Sequence, residues 1–160
     1  MAEGNITCEF YFRDAVQNRK ILFDTAIACA KNGKVLFILP EELNELPQLS
    51  QDLNQVDRHY LKMIIFLYAP NSKSLLEGVA SLPNWQNIPS TIILDDLSAY
   101  CNNNKFQNAC GVAALLTDTA YACSRSLKST CRVFISVEQN VLSERNCKTL
   151  QELYEISDVE

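Results

Sequence analysis

The chain has 160 residues, a common length for one domain, and its composition of 48% apolar and 21% charged residues is typical of a globular protein. This composition excludes a chain that is disordered throughout. Because 14 basic residues stand against 19 acidic ones, the net charge is −5, which argues against a protein that binds nucleic acid alone through its own basic surface.

The amino-terminal sequence and the apolar runs favour a protein that is neither secreted nor bound to a membrane. The first ten residues, MAEGNITCEF, lack the basic region and apolar stretch of a signal peptide. No apolar run reaches the length of a membrane span. We therefore expect a reducing location and no membrane partner.

Seven cysteines are present: Cys8, Cys29, Cys101, Cys110, Cys123, Cys131 and Cys147. Several of them lie inside apolar patterns, where cysteine acts as a small core residue. A structural zinc site needs four clustered Cys or His ligands, but the chain has no Cys-x-x-Cys pair and only one histidine, His59. The pattern predicts buried thiols and no bound metal.

Five short apolar runs predict strands, and the segments between them have helical periodicity. Four of the runs are nearly continuous in Val, Ile, Leu and Phe, which is typical of strands buried on both faces of a parallel sheet. The runs are residues 8–12, 34–40, 62–68, 90–96 and 132–138, and the predicted helices are 20–32, 71–81 and 111–127. This alternation predicts an α/β fold in a single domain, residues 1–160.

The first strand-to-helix turn, predicted over residues 13–21, is the usual place of a phosphate loop. Such a loop reads G-x-x-x-x-G-K-[ST], in which glycines let backbone N–H groups converge on phosphates. When Lys20 is aligned with the motif lysine, Asp14 and Arg19 replace the glycines and Ile21 replaces the hydroxyl residue. The sequence therefore favours Arg19 and Lys20 as solvated residues at a helix start over a nucleotide site.

A second candidate position is the end of the fourth strand, where Asp95 and Asp96 follow an apolar run. In phosphate-loop proteins a carboxylate at this position orients magnesium or its waters. An aspartate is also common there for a simpler reason, since strand ends meet solvent and Asp begins turns. Both interpretations remain open from the sequence.

Three stretches carry a resemblance to a known family: residues 20–47, residues 88–101 and residues 109–127, the last with an Ala-Leu-Leu-x-Asp-Thr pattern over 114–119. Together they resemble the RecA/Rad-type recombinase core. Within it they resemble the recombinase paralogues of the metazoan Shu complex, which pair with a SWIM-type zinc-finger protein. The resemblance implies a trimmed RecA-like α/β core with a mostly parallel sheet of about five strands flanked by helices.

The same resemblance implies a nuclear, non-catalytic adaptor in homologous recombination, DNA repair and meiosis. Its expected partners are a SWIM-type zinc-finger protein, in a heterodimer, and a recombinase or other recombinase paralogues. Single-stranded DNA is reached only through the complex, where the adaptor supports recombinase filaments. Two alternatives stay open, namely a weak ATPase of the same fold and an unrelated α/β interaction module.

The site residues expected on this basis fall into two groups. Lys20 and Asp95 are the degenerate nucleotide-binding positions, with no catalytic residue and no cofactor expected; ATP and magnesium belong to the weak-ATPase alternative. A partner interface is expected at Leu43, Leu46, Leu116, Thr119 and Cys123. For the last three residues, packing in the core is the competing interpretation.

Overall fold

The computed structural model describes residues 4–47, 49–50, 52–101 and 105–157. All five predicted strands are present, and they form one parallel sheet in the order β1-β5-β4-β2-β3. The strands are β1 (Ile6–Tyr11), β2 (Val35–Leu39), β3 (Ile64–Tyr68), β4 (Thr91–Leu94) and β5 (Cys131–Ser136). The α/β prediction is therefore confirmed.

Helices connect successive strands, as parallel pairing requires. They are α1 (Ala15–Cys29), α2 (Arg58–Leu61), α3 (Ser72–Ala80), α4 (Lys105–Leu127) and α5 (Glu144–Tyr154). Asn71 caps α3, since its side chain accepts a hydrogen bond from the backbone N–H of Ser74. Within the described ranges, no helix is both long and apolar enough to cross a membrane.

Alternate residues of the strands belong to two cores on opposite faces of the sheet. Leu36 and Ile38 of β2 pack with α3, α4 and α5, whereas Phe37 and Leu39 pack with α1. Burying both faces requires nearly continuous apolar strands, which explains the pattern read from the sequence. The result is a three-layer arrangement in which α1 covers one face almost alone.

Four of the seven cysteines, Cys8, Cys29, Cys123 and Cys131, are buried, as their apolar surroundings predict. The other three, Cys101, Cys110 and Cys147, are partly exposed. Burial raises the pKa of Cys8 to about 12 and that of Cys123 to about 11. These thiols therefore act as small apolar core groups.

The two edges of the sheet differ. At the β1 edge, Cys8 exchanges two backbone hydrogen bonds of 2.9 Å with Ile156, and the N–H of Phe10 donates to Glu155 Oε2 at 3.3 Å. At the other edge, β3 pairs with β2 and with no second strand among the described residues. Phe66 and Tyr68 of β3 are exposed and stack at 6.4 Å between ring centroids.

Candidate functional site

The carboxyl ends of β1, β2, β4 and β5 meet at one edge of the sheet, where ligands bind in open α/β folds. This edge is formed by the turn before α1, the segment after β2, Asp95 and Asp96 after β4, and the end of β5 at Ser136. Of the candidate nucleotide residues, Asp95 belongs to one of these segments, whereas Lys20 lies in the second turn of α1. The geometry of each segment decides what the edge is able to bind.

The turn between β1 and α1 is much shorter than predicted. We expected it over residues 13–21, but α1 begins at Ala15, so that only residues 12–14 separate strand from helix. The carboxylate of Asp14 caps the helix by accepting a 2.8 Å hydrogen bond from the N–H of Gln17. Because the stretch contains no glycine and starts with this cap, it folds into regular helix, and the prediction of a long turn is wrong.

Asn18 holds this short turn closed. Its side chain, only 1% exposed, donates from Nδ2 to the carbonyls of Arg13 at 2.9 Å and Val137 at 3.2 Å, and its Oδ1 accepts from the N–H of Arg13 at 3.2 Å. The amide thus joins the start of α1 to the segments that leave β1 and β5. It engages the N–H of Arg13, a donor of the kind that a phosphate loop directs at a ligand.

Asp95 is buried at the end of β4 and is fully engaged by protein groups. Its Oδ2 accepts a 2.8 Å hydrogen bond from Nε of Arg19 on α1, and its Oδ1 accepts from the hydroxyl of Ser136 at 3.1 Å. The Asp95 side chain is 4% exposed, and that of Arg19 is 38% exposed. Arg19 is therefore the counter-ion of Asp95, so the expectation that Arg19 is simply solvated is wrong.

Lys20, the other predicted nucleotide residue, does not join this cluster. It lies one position beyond Arg19 on α1, is exposed, and lines a surface cleft with Val16 and Leu46. Consecutive helical residues point about 100° apart, so a helix that directs Arg19 at Asp95 turns Lys20 away from it. The two predicted residues share an edge of the sheet without forming one site.

Asp96 stabilises the turn that follows β4. Its Oδ1 accepts hydrogen bonds from the N–H groups of Ser98 at 2.9 Å and Glu138 at 3.2 Å, so it caps the 3₁₀ turn Leu97–Tyr100 and ties it to the segment after β5. Burial raises the pKa of Asp96, and these hydrogen bonds oppose the rise. The peptide bond between Asp95 and Asp96 is cis.

Comparison with solved structures identifies the architecture. The chain is similar to a structure described as "Crystal structure of the RadB recombinase", with a TM-score of 0.55 and 13% sequence identity over 86% of this chain. The fold is RecA-like. The chain spans 62% of the length of the RadB chain. No protein-family model matches the sequence, and no curated protein sequence matches it.

The residues of this RecA-like fold do not fit magnesium-bound ATP at the usual place. A phosphate cradle needs a flexible loop of converging N–H groups, but residues 15–19 are helical and the N–H of Asn18 donates to the Asp14 carbonyl at 2.9 Å. A metal-orienting carboxylate needs free oxygens, but both oxygens of Asp95 are hydrogen-bonded to Arg19 and Ser136. Separately, no group of three His, Cys, Asp or Glu residues suited to a metal lies in the described ranges.

The five predicted interface residues divide into two sets. Leu116 and Cys123 are fully buried and Thr119 is 8% exposed, so these three side chains of α4 pack inside the RecA-like fold. They offer a partner no accessible side chain, which agrees with the core-packing interpretation and not with the interface expectation. Leu46 is 55% exposed, and Leu43 is partly buried against the α1 core.

Sequence reasoning missed three contributors to this edge: Asn18, Ser136 and the pairing role of Arg19. One signal was available, because Asp14 followed by Gln17 fits the N-cap pattern of a helix that begins at residue 15. The contacts of Asn18 with Val137 and of Ser136 with Asp95 span 119 and 41 positions, so no local pattern reveals them.

Proposed function

We propose that this chain is a non-catalytic recombinase paralogue, an adaptor subunit of a Shu-type complex that acts in homologous recombination in the nucleus. In this role it binds a SWIM-type zinc-finger protein and lends a RecA-like surface to a recombinase or other recombinase paralogues. Its net charge of −5 supports contact with single-stranded DNA through the complex and not through this chain alone.

The observation that carries the proposal is the closed nucleotide position. Asp14 and Asn18 turn the phosphate-loop segment into a capped helix, and Arg19 supplies Asp95 with the positive charge that a metal would otherwise bring. A RecA-like fold without its nucleotide cradle keeps its surfaces but has no groups placed to hold the β- and γ-phosphates. An adaptor role needs only those surfaces.

The distribution of exposed apolar side chains supports a partner on the α1 side. Six large apolar side chains are exposed among the described residues, and four of them belong to α1, the segment after β2, and the α1-facing side of β3. These four are Val16, Leu46, Phe66 and Tyr68. They form two pairs, Val16 with Leu46 at one cleft and Phe66 stacked on Tyr68, and neighbouring exposed apolar side chains mark interaction surfaces more often than scattered ones do.

Titration calorimetry with magnesium and ATP tests the nucleotide half of the proposal. We expect no saturable, magnesium-dependent heat from the wild-type chain, because the cradle is absent. The weak-ATPase alternative predicts saturable binding that Lys20→Ala and Asp95→Ala remove. Lys73→Ala, at an exposed lysine in the first turn of α3, is the matched control that must leave any such binding unchanged.

Affinity purification of the tagged chain from its native cells, followed by mass spectrometry, tests the partner half. A SWIM-type zinc-finger protein or a recombinase in stoichiometric amount is the expected result. A chain that is recovered abundantly as a monomer, with neither partner, contradicts the adaptor role even when nucleotide binding is absent.

A further inference from the structure

A surface cleft of about 420 Å³ lies beside the closed nucleotide position. One wall is formed by Val16 of α1 together with Arg19 and Lys20, which lie three and four positions after Val16 and flank it on the helix surface. The opposite wall is the segment Glu45, Leu46 and Pro47, which follows β2. The volume falls within the range of about 300–1,000 Å³ that is usual for ligand clefts.

The apolar part of this cleft is unusually exposed. Val16 is 78% exposed and Leu46 is 55% exposed, although each has a large aliphatic side chain. Covering such a side chain contributes roughly 25 cal/mol for each Å² of apolar surface removed from water. An apolar group inserted between these two residues therefore gains from both walls.

The wall that contains Arg19 is held in place before any partner arrives, and the opposite segment is bonded to α1 a few residues further along the chain. Arg19 is fixed by the buried carboxylate of Asp95, which Ser136 fixes in turn. The segment after β2 is tied to α1 where Ser50 donates to Asp24 from its hydroxyl at 2.7 Å and from its N–H at 3.1 Å. A pre-organised cleft loses less conformational entropy on binding than a mobile surface does.

The two walls of the cleft carry opposite charges. The α1 wall has the two cations Arg19 and Lys20, and the opposite wall has the carboxylate of Glu45. The bond to Asp95 uses one of the five N–H donors of Arg19, and the 38% exposed side chain keeps donors at the cleft. A carboxylate therefore fits against α1 and is repelled by the opposite wall.

We propose that this cleft binds an extended segment of a partner protein in which an apolar side chain adjoins a carboxylate. The apolar side chain lies between Val16 and Leu46, and the carboxylate accepts hydrogen bonds from Arg19 and Lys20. This inference rests on the proposed adaptor function and deepens it, because it assigns the partner contact to the place where a nucleotide does not fit.

Selection of a phage-displayed library of random peptides on the full-length chain tests this inference. We expect enriched peptides that pair Asp or Glu with a neighbouring Leu, Ile or Phe, and Leu46→Asp is expected to weaken their binding by roughly ten-fold or more. Leu153→Asp is the matched control, because Leu153 is 61% exposed on α5, and it must leave binding unchanged. A failed selection, or peptides that bind wild type and Leu46→Asp equally, overturns the inference.

A charge reversal tests the expected orientation. Lys20→Glu is expected to weaken the selected acidic peptides several-fold, and replacing the peptide carboxylate by lysine is expected to restore binding to this variant. Lys73→Glu makes the same charge change outside the cleft and is expected to have no effect. Equal effects of the two variants overturn the assigned contact, since they reveal only a response to net charge.

Two further outcomes separate this inference from the proposed function. If magnesium-bound ATP at millimolar concentration displaces the peptides, the nucleotide-free adaptor proposal is wrong, while the cleft remains a peptide site. If the wild-type chain dimerises in solution and Leu46→Asp is monomeric, the cleft holds a second copy of the chain, and the inference of a different partner is wrong.

Discussion

Arg19 and Asp95 are 76 positions apart in the sequence, and they meet through a 2.8 Å hydrogen bond between Nε and Oδ2. This pair joins α1 to the end of β4 at the edge where phosphate-loop proteins bind a nucleotide and its metal. The charge that balances the buried carboxylate is thus part of the polypeptide. The buried Asp95 carboxylate is therefore neutralised without a ligand.

The Arg19–Asp95 pair is expected to stabilise the fold measurably. Among the described residues, Arg19→Ala leaves the buried carboxylate with Ser136 as its one side-chain partner, so we expect the free energy of unfolding to fall by about 1–3 kcal/mol. Because Arg19 is partly exposed, water limits the loss. Urea unfolding measures the change, and Arg145→Ala, at an exposed arginine of α5, is the control.

A double-mutant cycle isolates the interaction itself. Arg19→Ala combined with Asp95→Ala is expected to cost less than the sum of the two single substitutions, since each removes the same contact. Strict additivity of the two losses contradicts a direct interaction between the side chains.

The amide of Asn18 is expected to hold the short β1–α1 turn. Asn18→Ala removes three hydrogen bonds, one buried to Val137 and two partly buried to backbone groups of Arg13, and we expect a loss of about 2–3 kcal/mol in the free energy of unfolding. Hydrogen exchange at the Arg13 amide is expected to accelerate. Asn54→Ala, at an exposed asparagine, is expected to change neither quantity; an unaltered Arg13 amide in Asn18→Ala contradicts the assigned bond.

The raised pKa of Asp96 predicts a pH dependence of known sign. Native Asp96 holds its proton to higher pH than the unfolded chain does, where the pKa is near 3.8. The contribution of Asp96 to the free energy of unfolding is therefore largest below pH 3.8. It decreases as the pH rises from 3.8 through the native pKa.

Asp96→Asn is expected to abolish that contribution while keeping an oxygen that accepts from Ser98 and Glu138. Urea unfolding of wild type and variant over a series of pH values measures the difference between them. Asp52→Asn is the matched control, because Asp52 caps an exposed 3₁₀ turn in the same way. A difference that stays constant over the acid range contradicts the prediction.

Tyr100 fastens the turn after β4 to the end of β3. Its hydroxyl donates a 2.6 Å hydrogen bond to the Ala69 carbonyl, and Tyr100→Phe is expected to cost about 1–2 kcal/mol because that carbonyl stays buried. Burial raises the pKa of Tyr100 to about 12, so a difference absorbance titration of Tyr100→Phe against wild type is expected to remove a late-ionising phenol. If the phenol missing from Tyr100→Phe is one with the ordinary pKa of 10.0, the assignment of the raised pKa to Tyr100 is contradicted.

Alkylation of the cysteines tests which thiols belong to the core. Mass spectrometry after brief iodoacetamide treatment of the native chain is expected to find Cys110 and Cys147 modified and Cys8 and Cys123 protected, since the first two are partly exposed. Denaturation in urea before labelling is expected to expose all four. Rapid native labelling of Cys123 contradicts its burial in α4 and restores it as an interface candidate.

The strands and the α/β class could be predicted from the sequence because a strand buried on both faces has a nearly continuous run of apolar residues. The apolar run 34–40 became β2, Val35–Leu39, with every residue buried. The start of α1 could not be placed as well, because the phosphate-loop comparison extended the turn over residues that the Asp14 cap makes helical. An N-cap favours helix formation, and a segment without glycine lacks the backbone freedom that an open phosphate loop requires.

The candidate site was less predictable because its contacts are distant in the sequence. Asp95 was recognised by its place after a strand, but its partners come from α1 and β5, and only the folded sheet brings them together. Lys20 was chosen by alignment alone, and the helix directs it into the cleft and not toward Asp95.

The two edges of the sheet differ in what a strand donated by another molecule would meet. Ile156 and Glu155 already occupy main-chain positions along β1, whereas β3 leaves its outer main-chain groups available within the described part of the chain. An added strand therefore pairs directly along β3, but along β1 it first has to displace the segment that contains Glu155 and Ile156.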